Sequence, residues 1–90
     1  MSHEDMIREF VAETFLFGDA SKLTSTQSLL RTGVIDSTGV MELILFIENT
    51  FGVSVGDSEV VPANLDSLAS IAAFVDRKLA TRPVGSAEAS

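Results

Sequence analysis

Residues 36–52 read DSTGVMELILFIENTFG and carry the signals of both a helix start and a helix end. Aspartate and serine are favoured N-cap residues, and glycine is common directly after a helix. At 100° per residue, one stripe of this helix is apolar along its whole length: Val40, Leu43, Ile44, Ile47 and Phe51. The run therefore predicts an amphipathic helix from Asp36 or Ser37 to about Gly52, with the apolar stripe in the core.

The opposite side of the same helix is unusual for a surface in water. It places the apolar side chains of Met41 and Leu45 beside Thr38, Glu42 and Asn49. Apolar side chains among acids are typical of a docking surface, where the acids pair with Arg and Lys of a partner. The alternative is that a loop of the same chain covers Met41 and Leu45.

Further helical segments flank this helix on both sides. Residues 2–16 have acids in their first turn, and Gly18 is predicted to end that helix. Its apolar face consists of Met6, Ile7, Phe10, Val11 and Phe15. Residues 57–61, before Pro62, allow only a short helical turn. The last helix is predicted from about Asp66-Ser67 to Leu79-Ala80, with a core stripe at helical spacing: Leu68, Ile71, Ala72, Val75 and Leu79.

The connection between the first two helices is long. Residues 19–27 are polar and rich in Ser and Thr, and Leu29 and Leu30 follow them. Because two leucines interrupt the polar run, we expect a loop held against the core rather than a free linker. Residues 81–90 contain Pro, Gly and small polar side chains, which favours a disordered tail after a single domain of residues 1–80.

The negative charge of the chain lies in one contiguous part of it. The net charge is −7, and residues 32–76 contain seven acids and no Lys or Arg. Such a field repels phosphate backbones, which argues against nucleic acid as a partner, and it steers basic partner surfaces toward the protein. The simpler interpretation is that the acids only keep a small apolar protein soluble.

The composition excludes several kinds of site. Without cysteine, neither a disulfide nor a thiolate metal site can form. One histidine, His3, leaves little material for acid–base catalysis, and we expect it to be exposed in the first helical turn. No apolar run approaches the roughly 18 residues of a membrane span, and no apolar leader opens the chain, so we expect a cytoplasmic protein.

Ser37 stands out among the hydroxyl side chains. An Asp-Ser pair at a helix start is usually structural, and Asp66-Ser67 provides an internal example of such a cap. Unlike Ser67, Ser37 follows a Gly-Val-Ile segment and precedes the helix with the mixed outward face. It also lies at the positive end of a helix dipole, where an attached phosphate would be stabilised. These features predict a serine that other proteins reach and modify.

The run from Leu29 to Leu43, LLRTGVIDSTGVMEL, followed by Phe51-Gly52-Val53, resembles the core of an acyl carrier protein. Residues 64–71, NLDSLASI, resemble the start of the last helix in that family, so the similarity covers about Met6 to Leu79. The resemblance implies an all-α fold, a small antiparallel bundle of three long helices and one short one. A long loop would join the first and second helices.

The resemblance also implies a site and a set of partners. Ser37 would receive 4′-phosphopantetheine from coenzyme A through a separate transferase with its own magnesium, and the arm's thiol would hold an acyl or aminoacyl group as a thioester. Asp36 would help to position the transferase. The docking face would comprise Thr38, Met41, Glu42, Leu45 and Glu48. Further expected partners are an adenylating acyl- or amino acid-carrier protein ligase and a downstream acyltransferase or synthase. The chain would carry neither a metal nor a catalytic residue.

Several positions differ from the commonest family pattern. The serine is usually followed by leucine, where this chain has Thr38, and Gly39, Asn49 and Thr50 stand where acids are common in fatty-acid carriers. These differences would thin the acidic face. Gly39 resembles instead the discrete carriers of D-alanylation, aminoacyl and secondary-metabolite pathways, and the identity of the cargo stays open.

Two other functions fit parts of the sequence. An unmodified helical docking or adaptor module would use the same outward face and would tolerate Ser37→Ala. A small hydrolase with Ser37 as nucleophile would need a general base and an oxyanion hole, and the sequence offers neither near Ser37.

Overall fold

The computed structural model describes residues 2–80, apart from the side chain of Lys22. Its helices are α1 (His3–Phe15), α2 (Ser37–Phe51), α3 (Pro62–Leu65) and α4 (Leu68–Ala80), and single 3-10 turns lie at Ala20–Lys22 and Asp57–Glu59. The described residues contain no strand, so the predicted all-α fold with three long helices and one short one is confirmed. The predicted disordered tail, residues 81–90, lies outside the described residues.

The core forms where the apolar stripes of α1, α2 and α4 meet. From α2, the predicted stripe is buried except for Val40, which is half-buried. From α4, Phe74 joins the predicted stripe and is among the largest fully buried side chains. The fully buried set combines all three helices with one loop residue: Ile7, Val11, Leu29, Leu43, Ile47, Leu68, Ile71, Phe74 and Val75. Helical periodicity alone therefore identifies most of the core.

Helices α1 and α2 run antiparallel, as a series of aromatic contacts along them shows. The His3 ring lies edge-on to Phe51 with 5.0 Å between ring centroids. Phe10 stacks on Phe46 at 4.1 Å. At the other end of the pair, the ring of Phe15 lies against the backbone of Gly39. The C-terminal end of α1 therefore lies beside the N-terminal end of α2.

Gly39 is a packing requirement of this helix pair. A Cβ atom at this position would lie 2.7 Å from the Phe15 ring and 3.2 Å from Ile35 Cγ2, both closer than normal contact. Gly39 is buried and faces α1, so its missing side chain does not thin the outward face of α2. The glycine that separates this chain from many fatty-acid carriers thus has a local steric reason.

The long loop between α1 and α2 is fastened to the start of α4 through Asp66. Its carboxylate accepts hydrogen bonds from the Leu30 amide at 2.9 Å and from the Ser28 hydroxyl at 2.5 Å. The Asp66 carbonyl accepts a third from the Leu29 amide at 2.7 Å. Leu29 is fully buried, whereas Leu30, also predicted to pin the loop, remains 41% exposed. The expectation of a loop held against the core is met through one leucine and one aspartate.

The segment from α2 to α3 is held by two carboxylates. Glu48 accepts a hydrogen bond from the Val55 amide at 2.8 Å. Glu59 accepts one from the Gly56 amide at 2.9 Å and pairs with the Lys78 ammonium at 2.9 Å. The Gly56 hydrogen bond and the Lys78 charge hold the pKa of Glu59 below its ordinary value.

Filling the space at Gly39 is predicted to destabilise the protein. Gly39→Leu would displace the Phe15 ring, and overpacking of this kind lowers the free energy of unfolding by about 1–3 kcal/mol. Thr38→Leu, on the neighbouring exposed position, is the matched control and should change it by less than about 0.5 kcal/mol. Urea unfolding followed by circular dichroism measures both; equal stabilities would contradict the packing role.

Removing the Asp66 carboxylate is predicted to loosen the long loop. Asp66→Ala leaves the Leu30 amide and the Ser28 hydroxyl without their acceptor, a loss of about 1.5–3 kcal/mol for hydrogen bonds to a charged group. The exposed Asp57→Ala variant serves as control. Amide hydrogen exchange should accelerate at Leu29 and Leu30 in the first variant alone; unchanged exchange would refute the anchor.

Candidate functional site

Ser37 is the first residue of α2, and the residue before it fixes that position. Asp36 is the N-cap, with extended backbone, and its carboxylate accepts a hydrogen bond from the Gly39 amide at 2.7 Å. The Asp36 carbonyl accepts the first helical hydrogen bond from Val40 at 3.0 Å. Since Asp36 supplies the cap, the Ser37 hydroxyl is not needed for it. Ser37 is exposed, and within residues 2–80 no side chain or backbone group hydrogen-bonds its hydroxyl.

In the second pair, Asp66-Ser67, the serine rather than the aspartate caps the helix. Ser67 is 9% exposed, and its hydroxyl accepts a hydrogen bond from the Ser70 amide at 3.1 Å, which caps α4. It also lies 2.9 Å from the Ser70 hydroxyl. The predicted contrast between the two serines therefore has a geometric counterpart: Ser67 is engaged in the fold, and Ser37 is presented to solvent.

The outward stripe of α2, defined here as Thr38, Met41, Glu42 and Leu45, is exposed to solvent. Met41 is 60% exposed and Leu45 56%. Thr38 and Glu42 are exposed as well. The alternative interpretation, in which the long loop covers Met41 and Leu45, is therefore wrong.

Glu48 differs from the other predicted recognition residues. Asp36 lies directly before Ser37, and the outward stripe follows Ser37 along α2. All of these residues are exposed. Glu48 is half-buried, and its carboxylate is engaged by the Val55 amide. The sequence pattern missed this contact because Val55 lies beyond the end of the helix.

Two grooves flank the start of α2. One, with a volume of about 280 Å³, lies between the end of α1 and the start of α2 and has a mixed lining: Thr14, Phe15, Gly33, Val34, Asp36, Thr38, Gly39 and Glu42. The other has a volume of about 80 Å³ and an apolar lining: Leu30, Val40, Val60, Val61, Pro62 and Leu65. Neither lining contains a histidine or a lysine that could remove a proton from Ser37.

His3 lies at the opposite end of the helix from Ser37. It packs against Phe51, and α2 has 15 residues, so at 1.5 Å per residue about 20 Å separate it from Ser37. The expectation that His3 is exposed is wrong in detail, because its ring is half-buried and its Nδ1 atom lies 2.5 Å from the Asp76 carboxylate. His3 therefore joins α1 to α4 and cannot act as a base for Ser37.

The part of the chain that the structure describes offers neither a metal site nor a membrane span. No three His, Asp or Glu side chains in residues 2–80 come together in a way that could hold a metal ion. None of the helices described above combines the length and apolarity needed to cross a bilayer.

Comparison with known proteins gives a consistent result. No protein-family model matches the chain. Over 74 residues the sequence is 31% identical to a probable acyl carrier protein, PigG, from a Serratia species, covering 82% of this chain and 85% of that protein. A holo acyl carrier protein from Nitrosomonas europaea has the same fold, with a TM-score of 0.75 and 30% identity over 89% of this chain and 99% of that one. A chain in a crystal structure of an FAD-dependent dehydrogenase matches with a TM-score of 0.67 and 28% identity, over 76% of this chain and 96% of that one.

The two serines are predicted to differ in their contribution to stability. Ser67→Ala removes a helix cap and should lower the free energy of unfolding by about 1 kcal/mol. Ser37→Ala removes an exposed hydroxyl and should change it by less than about 0.5 kcal/mol. Urea unfolding of both variants checks this; a larger loss for Ser37→Ala would show that Ser37 is structural.

Proposed function

The chain belongs to the acyl carrier protein family, and on that premise we propose that Ser37 carries a 4′-phosphopantetheine arm. When attached, the arm supplies a terminal thiol that holds an acyl or aminoacyl group as a thioester. The observation that carries the proposal is the exposed Ser37 hydroxyl, which the fold leaves unbonded because Asp36 caps α2 in its place.

The start of α2 suits a phosphodiester. The first amides of a helix have no partner within it, and together with the helix dipole they favour a negative charge. The first turn of α2 contains no acid, so the cap residue Asp36 supplies the one carboxylate at this helix end. The negative charge of an attached phosphate would therefore meet little repulsion from the helix itself. Asp36 directs its carboxylate at the Gly39 amide, which leaves the side of Ser37 open.

Attachment would require chemistry from a partner but little from this chain. The Ser37 Oγ atom attacks the phosphorus of coenzyme A that bears the pantetheine group. The phosphoanhydride bond breaks, and adenosine 3′,5′-bisphosphate leaves. A base of the transferase would accept the serine proton, and magnesium bound by the transferase would supply positive charge to offset that of the phosphates. This chain contributes an accessible nucleophile at a fixed position.

The surface around Ser37 is suited to several successive partners. The outward stripe offers two exposed apolar side chains, Met41 and Leu45, next to the carboxylate of Glu42. A basic partner surface would pair with the acids while the apolar side chains are buried. We propose that the transferase, an adenylating ligase and a downstream acyltransferase or synthase use this stripe in turn, in the cytoplasm. Small interfaces of this kind release quickly.

We further propose a specialised pathway with an aminoacyl or secondary-metabolite cargo. Support comes from the outward stripe, where Glu42 is the sole acid and Thr38 stands beside the serine. Gly39 does not contribute to this inference, because packing against Phe15 accounts for it.

The proposal predicts a specific gain of mass. Incubation with coenzyme A, magnesium and a broad-specificity phosphopantetheinyl transferase should add one phosphopantetheine to the wild-type chain. Ser67→Ala should gain the same mass, and Ser37→Ala should gain none. Intact-protein mass spectrometry reads all three samples.

The serine variants provide the control within the same experiment. Since Ser37→Ala should fold as well as the wild type, its failure to gain mass would identify the acceptor atom. No gain in a well-folded wild-type sample would contradict the carrier function and favour an unmodified adaptor that docks through the outward stripe.

A further inference from the structure

Phe17, which follows α1, is exposed to an unusual degree. Its relative exposure is 103%, compared with 60% for Met41 and 56% for Leu45. Burying a phenylalanine side chain stabilises a fold, so this residue forgoes a contribution that proteins normally obtain from an aromatic ring. The ring therefore does not serve the core of this protein.

The backbone of Phe17 is also in a conformation that phenylalanine disfavours. Its φ angle is 55°, and it is the one residue other than glycine with positive φ in the described chain. The left-handed region is unfavourable for an ordinary L residue and is normally occupied by glycine at the end of a helix. The Gly18 amide, which donates to the Ala12 carbonyl at 2.8 Å, holds this helix ending in place.

These two costs fall on the same residue. A glycine at position 17 would relieve the backbone strain and would remove an apolar ring from water. Strained residues that the fold does not require are concentrated at sites of function. The combination therefore indicates a use of the ring outside the fold.

The position of Phe17 connects it to the site. Phe15, two residues earlier, packs against Gly39 in the first turn of α2, which brings the end of α1 beside Ser37. The mixed groove spans this junction, since Phe15 lines it from α1 and Glu42 from the outward stripe. The surface thus continues from the outward stripe, across the groove, to the end of α1 that bears Phe17.

We propose that Phe17 is a docking residue for the phosphopantetheinyl transferase that acts on Ser37, its ring entering an apolar pocket of that enzyme. The inference rests on the proposed function.

Contacts along α2 alone leave a partner free to roll about the helix axis, and a second contact at the end of α1 prevents that motion. The transferase needs this restraint most, because it reacts at the Ser37 Oγ atom itself, where a misplacement of about 1 Å can cost on the order of 100-fold in rate. Enzymes that act at the tip of a flexible arm tolerate more rotation.

The charge near Phe17 indicates which residues would border the transferase pocket that receives its ring. The carboxylate of Glu13, which is exposed, lies beside Gly18, so an acid lies close to the aromatic ring along the chain, whereas the Asp19 carboxylate caps the turn that follows. A pocket bordered by Arg or Lys would match this charge. A second copy of this chain, with a net charge of −7, or an anionic bilayer would be repelled instead.

The test compares stability with transfer rate in Phe17→Gly. The variant should unfold at a temperature about 4–8 °C higher, as expected for relief of about 1 kcal/mol in a domain of this size. Its kcat/KM for phosphopantetheine transfer should nevertheless fall about tenfold or more with the purified transferase of the same organism, measured by intact mass at early times. Phe17→Tyr, which keeps the ring, should retain kcat/KM within about twofold of the wild type.

Other results would overturn the inference. A Phe17→Gly variant with kcat/KM unchanged would show that the ring does not contact the transferase. A variant that loses both stability and rate would assign Phe17 a structural role. Phe17→Gly could instead leave the transfer rate unchanged but abolish self-association in sedimentation or binding to phosphatidylcholine vesicles. That result would assign the ring to a second copy of the chain or to a lipid surface. Failure of the wild type itself to gain mass would contradict the carrier function rather than the role of Phe17.

Discussion

The hydrogen bond from the Gly39 amide to the Asp36 carboxylate fixes where α2 begins, and the functional surface follows from it. With Asp36 as the cap, Ser37 becomes the first residue of the helix, and no group within residues 2–80 forms a hydrogen bond with its hydroxyl. The same register directs Leu43 and Ile47 into the core and leaves Met41 outside. The cap thus places Ser37 at the exposed start of α2, and the helical repeat separates the core face of α2 from the outward stripe.

Sequence periodicity predicts most of what lies within single helices. The limits of α2, its buried stripe and the exposure of Met41 and Leu45 follow from a 3.6-residue repeat with a cap at one end and Gly52 at the other. The contrast between Ser37 and Ser67 is also visible in sequence, because only the first precedes a helix with a mixed outward face.

Contacts between distant parts of the chain are what the sequence does not predict. Nothing local shows that Phe15 would require a glycine at position 39, or that Asp66 would bind the Leu30 amide across 36 positions. Glu48 occurs at an outward spacing, but its engagement by Val55 depends on how the chain turns after the helix. The strain at Phe17 was equally hidden, because the neighbouring Gly18 is the residue that local rules select to end α1.

Two features of the structure around Ser37 favour the proposed carrier over its two rivals. A hydrolase needs a base near the serine, and the single histidine of the chain is held by Phe51 and Asp76 at the far end of α2. An adaptor needs the outward stripe but has no use for a helix start arranged to leave a serine hydroxyl unbonded. The carrier uses both features, and its family relationship to PigG and to the Nitrosomonas europaea protein agrees with that assignment.

The central claim is that Ser37 bears a covalent arm in the living cell. The most direct measurement is tandem mass spectrometry of the protein purified from its own organism, with the modified residue located by peptide mapping. We expect a phosphopantetheine, free or with its cargo attached, on the peptide that contains Ser37. An unmodified Ser37 peptide throughout, from cells that express the chain and its transferase, would contradict the account.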